Sequence, residues 1–324
     1  MNLNQLIQSK QYERAIHECK ALIADAELDD DKSAKLTGLV YLGIIYTKQG
    51  VFHKSKDLFD THFNDIVSEC KFYWSGKELV DTYVFYNELE KAESYIDAYI
   101  DNNKDSKTLL TKGNLLYKRK EYSEAIEILQ QANSLEPNNK QILFSLGITE
   151  VELKNNQEAF KYFEKSFDLG LDDSIAEIIK LLFRRTGTCD YENCVDTCCK
   201  AVILTGIDGK SVKDENSFNL LMNNDSRNKC WIKNKSNSDT PWVFECKNLG
   251  LNNYCNDYDK RPENCHSYPS SILNTRTACS YTFELADKNI LFSSTNCFKV
   301  VLHILKAYNY ESEIKELTNK NPLI

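Results

Sequence analysis

The sequence predicts two architectures in one chain: an all-α superhelix of stacked helical hairpins, then a small, irregular cysteine-rich domain with a C-terminal helix. Two observations predict the first. Small residues recur at intervals of about 34 positions, and the composition before residue 186 is rich in Leu, Ala, Glu and Lys. A third predicts the second. Of 12 cysteines only Cys19 and Cys70 lie in the first 188 residues, while the other ten crowd into 189–297 among Asn, Ser and Asp. These shifts divide the chain into domains 1–185 and 186–324.

The repeat is clearest where Gly113-Asn-Leu-Leu-Tyr117, Tyr122-Ser-Glu-Ala125, Leu129, Ala132 and Pro137 are set beside Gly147, Ala159, Phe163 and Ser166. Each small or packing residue falls 34 positions after its counterpart. Upstream, Gly43, Ser55 and Phe59, then Tyr83, Ala92 and Ile96, keep the same internal offsets. Ala15 and Cys19 do so in a shorter first unit. The series Ala15, Ser55, Ala92, Ala125, Ala159 steps by 40, 37, 33 and 34. Small residues at fixed positions let two helices approach closely, and Pro137 ends a second helix because it has no N–H to continue the ladder. The wider early steps predict longer loops between helices, as at Leu28-Asp-Asp-Asp31. This pattern resembles the tetratricopeptide repeat (TPR) over residues 1–185.

Stacked hairpins of that family line a concave face with the first helix of each pair, which suits an extended peptide or a partner helix. In the 106–139 unit the groove positions are Lys107, Leu110, Thr111, Asn114, Tyr117 and Lys118. A protein or peptide partner is therefore expected there. The family's carboxylate clamp needs more bases than Asn114 and Lys118 supply, since Leu110, Val40 and Ile44 stand at its other positions.

The cysteine-rich half reads Cys189-Asp-Tyr-Glu-Asn-Cys194-Val-Asp-Thr-Cys198-Cys199, and much later Cys246, Cys255, Tyr258, Arg261-Pro262, Cys265-His266 and Tyr268-Pro269. Seven thiols in two groups suit zinc or an iron–sulfur cluster, because either needs several soft ligands at one point. Adjacent Cys198 and Cys199 cannot easily share one tetrahedral ion. They point to two metals, a polynuclear cluster or one thiol that is not a ligand. The second group resembles the YkgJ-type zinc- or iron-chelating cysteine-cluster domains, whose pattern Cys–x–x–Tyr–x–x–Arg-Pro–x–x–Cys–x–x–aromatic-Pro it matches in register. The resemblance implies a metal-stapled domain with Cys189, Cys194, Cys198, Cys199, Cys246, Cys255 and Cys265 as ligands. Cys230, Cys279 and His266 stay open as further ligands. Arg261 either donates to the thiolates or pairs with Asp257 or Asp259. In this chain the first-cluster gaps are four and three residues, where the family has two.

Forty Lys+Arg against 48 Asp+Glu give a net charge of −8, which argues against a general nucleic-acid binder. The longest apolar runs, Leu39–Ile45 and Val300–Leu305, are far short of the ~20 residues that span a bilayer. No secretory signal is readable at the N-terminus, so the expected location is cytoplasmic. No phosphate loop, nucleophile elbow or H-E-x-x-H helix occurs. Cys19 and Cys297 read as packing residues, the latter in a C-terminal helix over Ile290–Leu305. The leading expectation is a metal-binding protein whose repeat holds a protein or peptide. The alternative is a metal-dependent protein-modifying enzyme, lysine methylase-like, to which the repeat presents its substrate. A third reading makes Cys198 or Cys199 redox-active.

Overall fold

The computed structural model describes residues 2–69, 76–100 and 104–186. Beyond these it describes 202–204, 211–212, 215–224, 226–233, 242–249, 271–274, 281–286 and 290–321, with residues 255, 260, 262 and 265. The chain forms two compact units, Met1–Tyr162 and Phe163–Ile324.

Five helical hairpins build the first unit: α1 (Leu3–Gln8) with α2 (Tyr12–Leu28), α3 (Lys32–Lys48) with α4 (Phe52–Glu69), α5 (Gly76–Phe85) with α6 (Leu89–Ile100), α7 (Ser106–Lys118) with α8 (Tyr122–Leu135), and α9 (Lys140–Glu152) with α10 (Asn156–Asp168). The division between units falls inside α10.

One turn closes every hairpin. Lys10, Gly50, Asn87, Lys120 and Lys154 each take the left-handed backbone conformation, with φ between 57° and 75°. The amide of the next residue then donates to the carbonyl five positions before it, from Gln11 to Leu6, Val51 to Tyr46, Glu88 to Tyr83, Glu121 to Leu116 and Asn155 to Glu150, at 2.8–3.0 Å. That bond satisfies an orphan carbonyl at the end of the first helix. Five residues after each left-handed position comes the small residue of the repeat. Ala15, Ser55, Ala92, Ala125 and Ala159 are all 0% exposed.

Close approach explains why these residues are small. A Cβ placed on Gly43 would lie 2.5 Å from the Phe59 ring, and one on Gly113 would lie 2.6 Å from the Leu129 side chain. Ser55 fits where its fellows are Ala because its hydroxyl donates to the Gly43 carbonyl at 2.9 Å and meets the Thr47 hydroxyl at 2.7 Å. The core of the middle hairpins runs through Leu36, Val40, Ile44, Phe59, Tyr83 and Tyr95.

The wider early steps have a different cause from the loops expected. Only three residues separate α2 from α3, and Asp31 among them caps α3 by accepting from the Ala34 amide at 2.9 Å. In the first step the extra residues lengthen the helices; the second step includes residues 70–75, which lie outside the described residues. α2, α3 and α4 have 17, 17 and 18 residues, against 13 or 14 in α7 to α10.

In the second unit the end of α10 is followed by α11 (Asp173–Leu182) and strand β1 (Phe183–Thr186). Much later β5 (Thr282–Leu285) returns antiparallel to β1, with Phe183 opposite Leu285 and Thr186 opposite Thr282. Between these ends lies a three-stranded antiparallel sheet in the order β2 (Val202–Ile203), β4 (Val243–Cys246), β3 (Trp231–Lys233). Helix α12 (Glu215–Asn224) and a 3-10 turn over Ser226–Cys230 lead into β3. Leu204, Val212, Leu221, Trp231, Trp242 and Phe244 form the core of this small body.

Two helices follow β5, where one over Ile290–Leu305 was expected. They are α13 (Thr295–Ala307) and α14 (Glu311–Lys320). Asn309 repeats the left-handed hairpin turn, and the Tyr310 amide donates to Leu305 at 3.0 Å. The residues before α13 are held by Glu164 of α10, which is 2% exposed. Its carboxylate accepts from the Ser293 and Ser294 amides at 3.1 Å and from the Ser293 hydroxyl at 2.7 Å. Ser294 in turn caps α13 and donates to Asp168. A buried carboxylate with this many donors beside a helix N-terminus is well compensated. The cysteine-rich stretch is thus an excursion from a helical layer, leaving by β1 and returning by β5.

The glycine contact gives a direct prediction. Gly43→Ala should lower stability by about 1–3 kcal/mol in urea denaturation, and adding Phe59→Leu should recover part of the loss. Equal stability of Gly43→Ala and the parent would remove close helix approach as the reason for the repeat.

Candidate functional site

Two features carry chemistry, one in each unit. On α7 the expected groove residues Lys107, Asn114 and Lys118 are exposed, and Leu110, Thr111 and Tyr117 are half-buried. Asp105 fixes the start of this helix by accepting from the Thr108 amide at 2.7 Å. Leu109, Leu115 and Leu116 face the other way and are buried. Tyr117 donates to Glu152 at 3.3 Å, so α7 and α9 are linked along the polar face. Val40 and Ile44 are buried in the core, which removes them from any clamp for a chain-terminal carboxylate.

The second feature is a group of thiols on the small sheet. Cys230 ends the 3-10 turn, and Cys246 ends β4. Pairing of β3 with β4 sets Trp231 opposite Cys246, and the Lys247 amide donates to the Cys230 carbonyl at 2.9 Å. Cys230, in the 3-10 turn just before β3, lies beside the end of β4, and its thiol hydrogen-bonds with that of Cys246. They are 4% and 8% exposed. Cys255 is bridged to Leu249, three residues past Cys246, and Cys265 packs against the same core.

The electrostatics follow from that contact. The hydrogen bond from Cys230, then the amides of Asn248 and Leu249 and the Lys247 charge, pull Cys246 below the usual thiol range against the effect of burial. The same bond, burial, and the nearby sulfurs of Cys246, Cys265 and Cys255 push Cys230 well above it. The two titrate as a pair in which one proton leaves readily and the second is opposed. Trp231 adds an indole N–H that is buried in the same cluster and has no hydrogen-bond partner among the described residues.

Of the seven expected ligands, Cys246, Cys255 and Cys265 are brought together here. Cys189, Cys194, Cys198 and Cys199 lie outside the described residues, as do Cys279, His266 and Arg261. Among the described residues, no group of three or more His, Cys, Asp or Glu side chains closes on a point where a metal ion would sit. Cys230, left open by sequence, is the addition. The six described cysteines, which include Cys19 and Cys297, form no disulfide. Cys19 and Cys297 are fully buried. Burial, with Glu18 as the lesser cause, pushes the Cys19 thiol up to about 12. Burial, with Glu164 and Asp168, pushes Cys297 up as well. Both are inert packing groups.

Comparison with known proteins bears on the helical part. Residues 86–166 match the family model described as anaphase-promoting complex, cyclosome, subunit 3. A segment of 108 residues, 31% of the chain, is 32% identical to the type IV pilus assembly protein PilF of Pseudomonas aeruginosa, and it spans 43% of that protein. Among solved structures, MamA from Desulfovibrio magneticus RS-1 aligns with 52% of this chain and 90% of its own, at 16% identity and a TM-score of 0.42. YrrB, titled a TPR protein with an unusual peptide-binding site, aligns with 52% and 84% at 19% identity and a TM-score of 0.40. The repeat region is TPR-like in its turn, spacing and buried small residues. No helix among the described residues is long and apolar enough to cross a membrane.

Proposed function

We propose that the protein is an adaptor: its repeat holds a protein or peptide partner on the α7 face, and its cysteine-rich excursion binds zinc or an iron–sulfur centre. The observation that carries the metal reading is the buried, hydrogen-bonded pair Cys230–Cys246 with Cys255 and Cys265 beside it. Buried thiols with backbone N–H donors and an unpartnered indole N–H suit a thiolate-bound soft cation, whose sulfurs would accept those bonds. The resemblance of Cys255–Pro269 to the YkgJ-type pattern supports the same class. Cys246, Cys255 and Cys265 would hold the metal, and Cys189, Cys194, Cys198 and Cys199 complete the expected set. When bound, the metal cross-links this body. Partner binding is supported by the exposed Lys107, Asn114 and Lys118 on a helix whose apolar side is already buried.

Metal and acid-labile sulfide content on anaerobically purified full-length protein test the first half. Zinc without sulfide, or iron with sulfide in similar amount, is the expected result; protein with less than about a tenth of an equivalent of either would refute it. A photo-crosslinking residue in place of Asn114 tests the second half. It should capture one discrete partner band that the same residue in place of the exposed Leu135 does not. Identical band patterns from the two positions would contradict a partner on the α7 face.

A further inference from the structure

Charge divides the sides of α7. The helix carries three lysines and no acidic residue, in a chain whose net charge is −8. Lys112 is paired with Asp97 of α6 at 2.6 Å, and Arg119 at the helix end is paired with Glu93 and Glu121. Lys107 and Lys118 are exposed, and neither makes an ion pair among the described residues. With Asn114 they fall on one line along the helix at about 3.6 residues per turn, and the two lysine positions are ~16 Å apart. Leu110, Thr111 and Tyr117 border that line and are half-buried, so the stripe is partly apolar between its charged ends.

Two carboxylates border the stripe, and both already accept hydrogen bonds. Glu136 accepts from the Ser106 hydroxyl at 2.7 Å and from the Asn139 side-chain amide at 3.0 Å, and Glu152 accepts from the Tyr117 hydroxyl at 3.3 Å. Hydrogen bonds from Asn139 and Ser106, and to a lesser degree the Lys107 charge, hold the Glu136 carboxyl below its usual range. Lys107 is therefore near this group without being paired to it.

We infer that the partner held on the α7 face is an extended acidic segment, internal to its own chain, with two side-chain carboxylates that meet Lys107 and Lys118. At about 3.3 Å per residue an extended chain covers the distance between the lysines in about five residues, which sets the spacing of the acids. The Asn114 carboxamide between them can donate to and accept from the segment's backbone. Leu110 and Tyr117 offer contact to an apolar side chain between the acids. A single lysine at each end, rather than several bases at one point, suits side-chain carboxylates and not a chain terminus. This inference rests on the reading of α7 as the partner face, and its test separates the two.

The probe is a library of random peptides, each about twelve residues long so as to cover the stripe, displayed within a longer chain so that neither end is free. Peptides selected on full-length protein are then made in amidated form and titrated against it. Selection should enrich pairs of acidic residues about five apart. Lys107→Glu and Lys118→Glu should each weaken binding at least about tenfold, while Lys20→Glu, the same charge change on α2, should leave it within about twofold. Added salt should weaken binding to the parent. Enriched peptides without acidic pairs that Asn114→Trp still blocks would overturn the inference and leave the α7 face as the partner site. Peptides that bind every variant alike, or no enrichment over a blank support, would overturn both.

Discussion

The close approach of the two helices in each hairpin is the constraint on which the first unit depends. A small residue five positions after a left-handed turn residue is fully buried in all five hairpins. The turn sets the direction of the second helix, and the small residue sets how near it comes. The large side chains of Phe59 and Leu129 then fill the space over Gly43 and Gly113. Once the spacing is fixed, α7 has one apolar side committed to the core and one polar side left to solvent. That division is why Lys107, Asn114 and Lys118 are available on α7 while Leu109 and Leu116 are not.

The second unit is organised by two non-local contacts. Strand β1 meets β5 about 100 residues later, with Arg184 donating to Glu284 at 2.7 Å and the Thr186 and Thr282 hydroxyls 2.8 Å apart. Glu164 then anchors the segment leading into α13. Together they return the chain to a helical layer after the cysteine-rich excursion. An insertion whose ends are clamped this way can vary in its interior without disturbing the layer, provided the excursion has its own source of stability. Its described core is formed by aromatic and aliphatic residues around Trp231, Trp242 and Phe244.

The first unit was largely legible in the sequence because its signals are local: a small residue, a turn, and an offset that repeats. The lengthened early units were legible as spacing but not as cause, since longer helices and longer loops shift the small residues equally. The α13–α14 hairpin escaped notice because Ile314 stands five residues after Asn309, where the other hairpins have a small residue, although the turn itself is the same. Cys246, Cys255 and Cys265 were singled out as candidates by motif spacing. Cys230 was not, because only the pairing of β3 with β4 places it, and register between strands separated by a long insert leaves no periodic trace. The two strands do share a faint mark, a buried aromatic and a cysteine within three residues: Cys230-Trp231 in one, Phe244-Glu-Cys246 in the other.

The central proposal is that the cysteine-rich body depends on a bound metal for its fold and that the helices do not. Hydrogen exchange on the full chain, with and without a strong chelator, measures this directly. Removing metal should abolish protection of the amides in 226–249 while those of α2, α3, α7, α8 and α13 keep theirs. Unchanged protection throughout, or loss of protection in the sheet and the helices together, would contradict it.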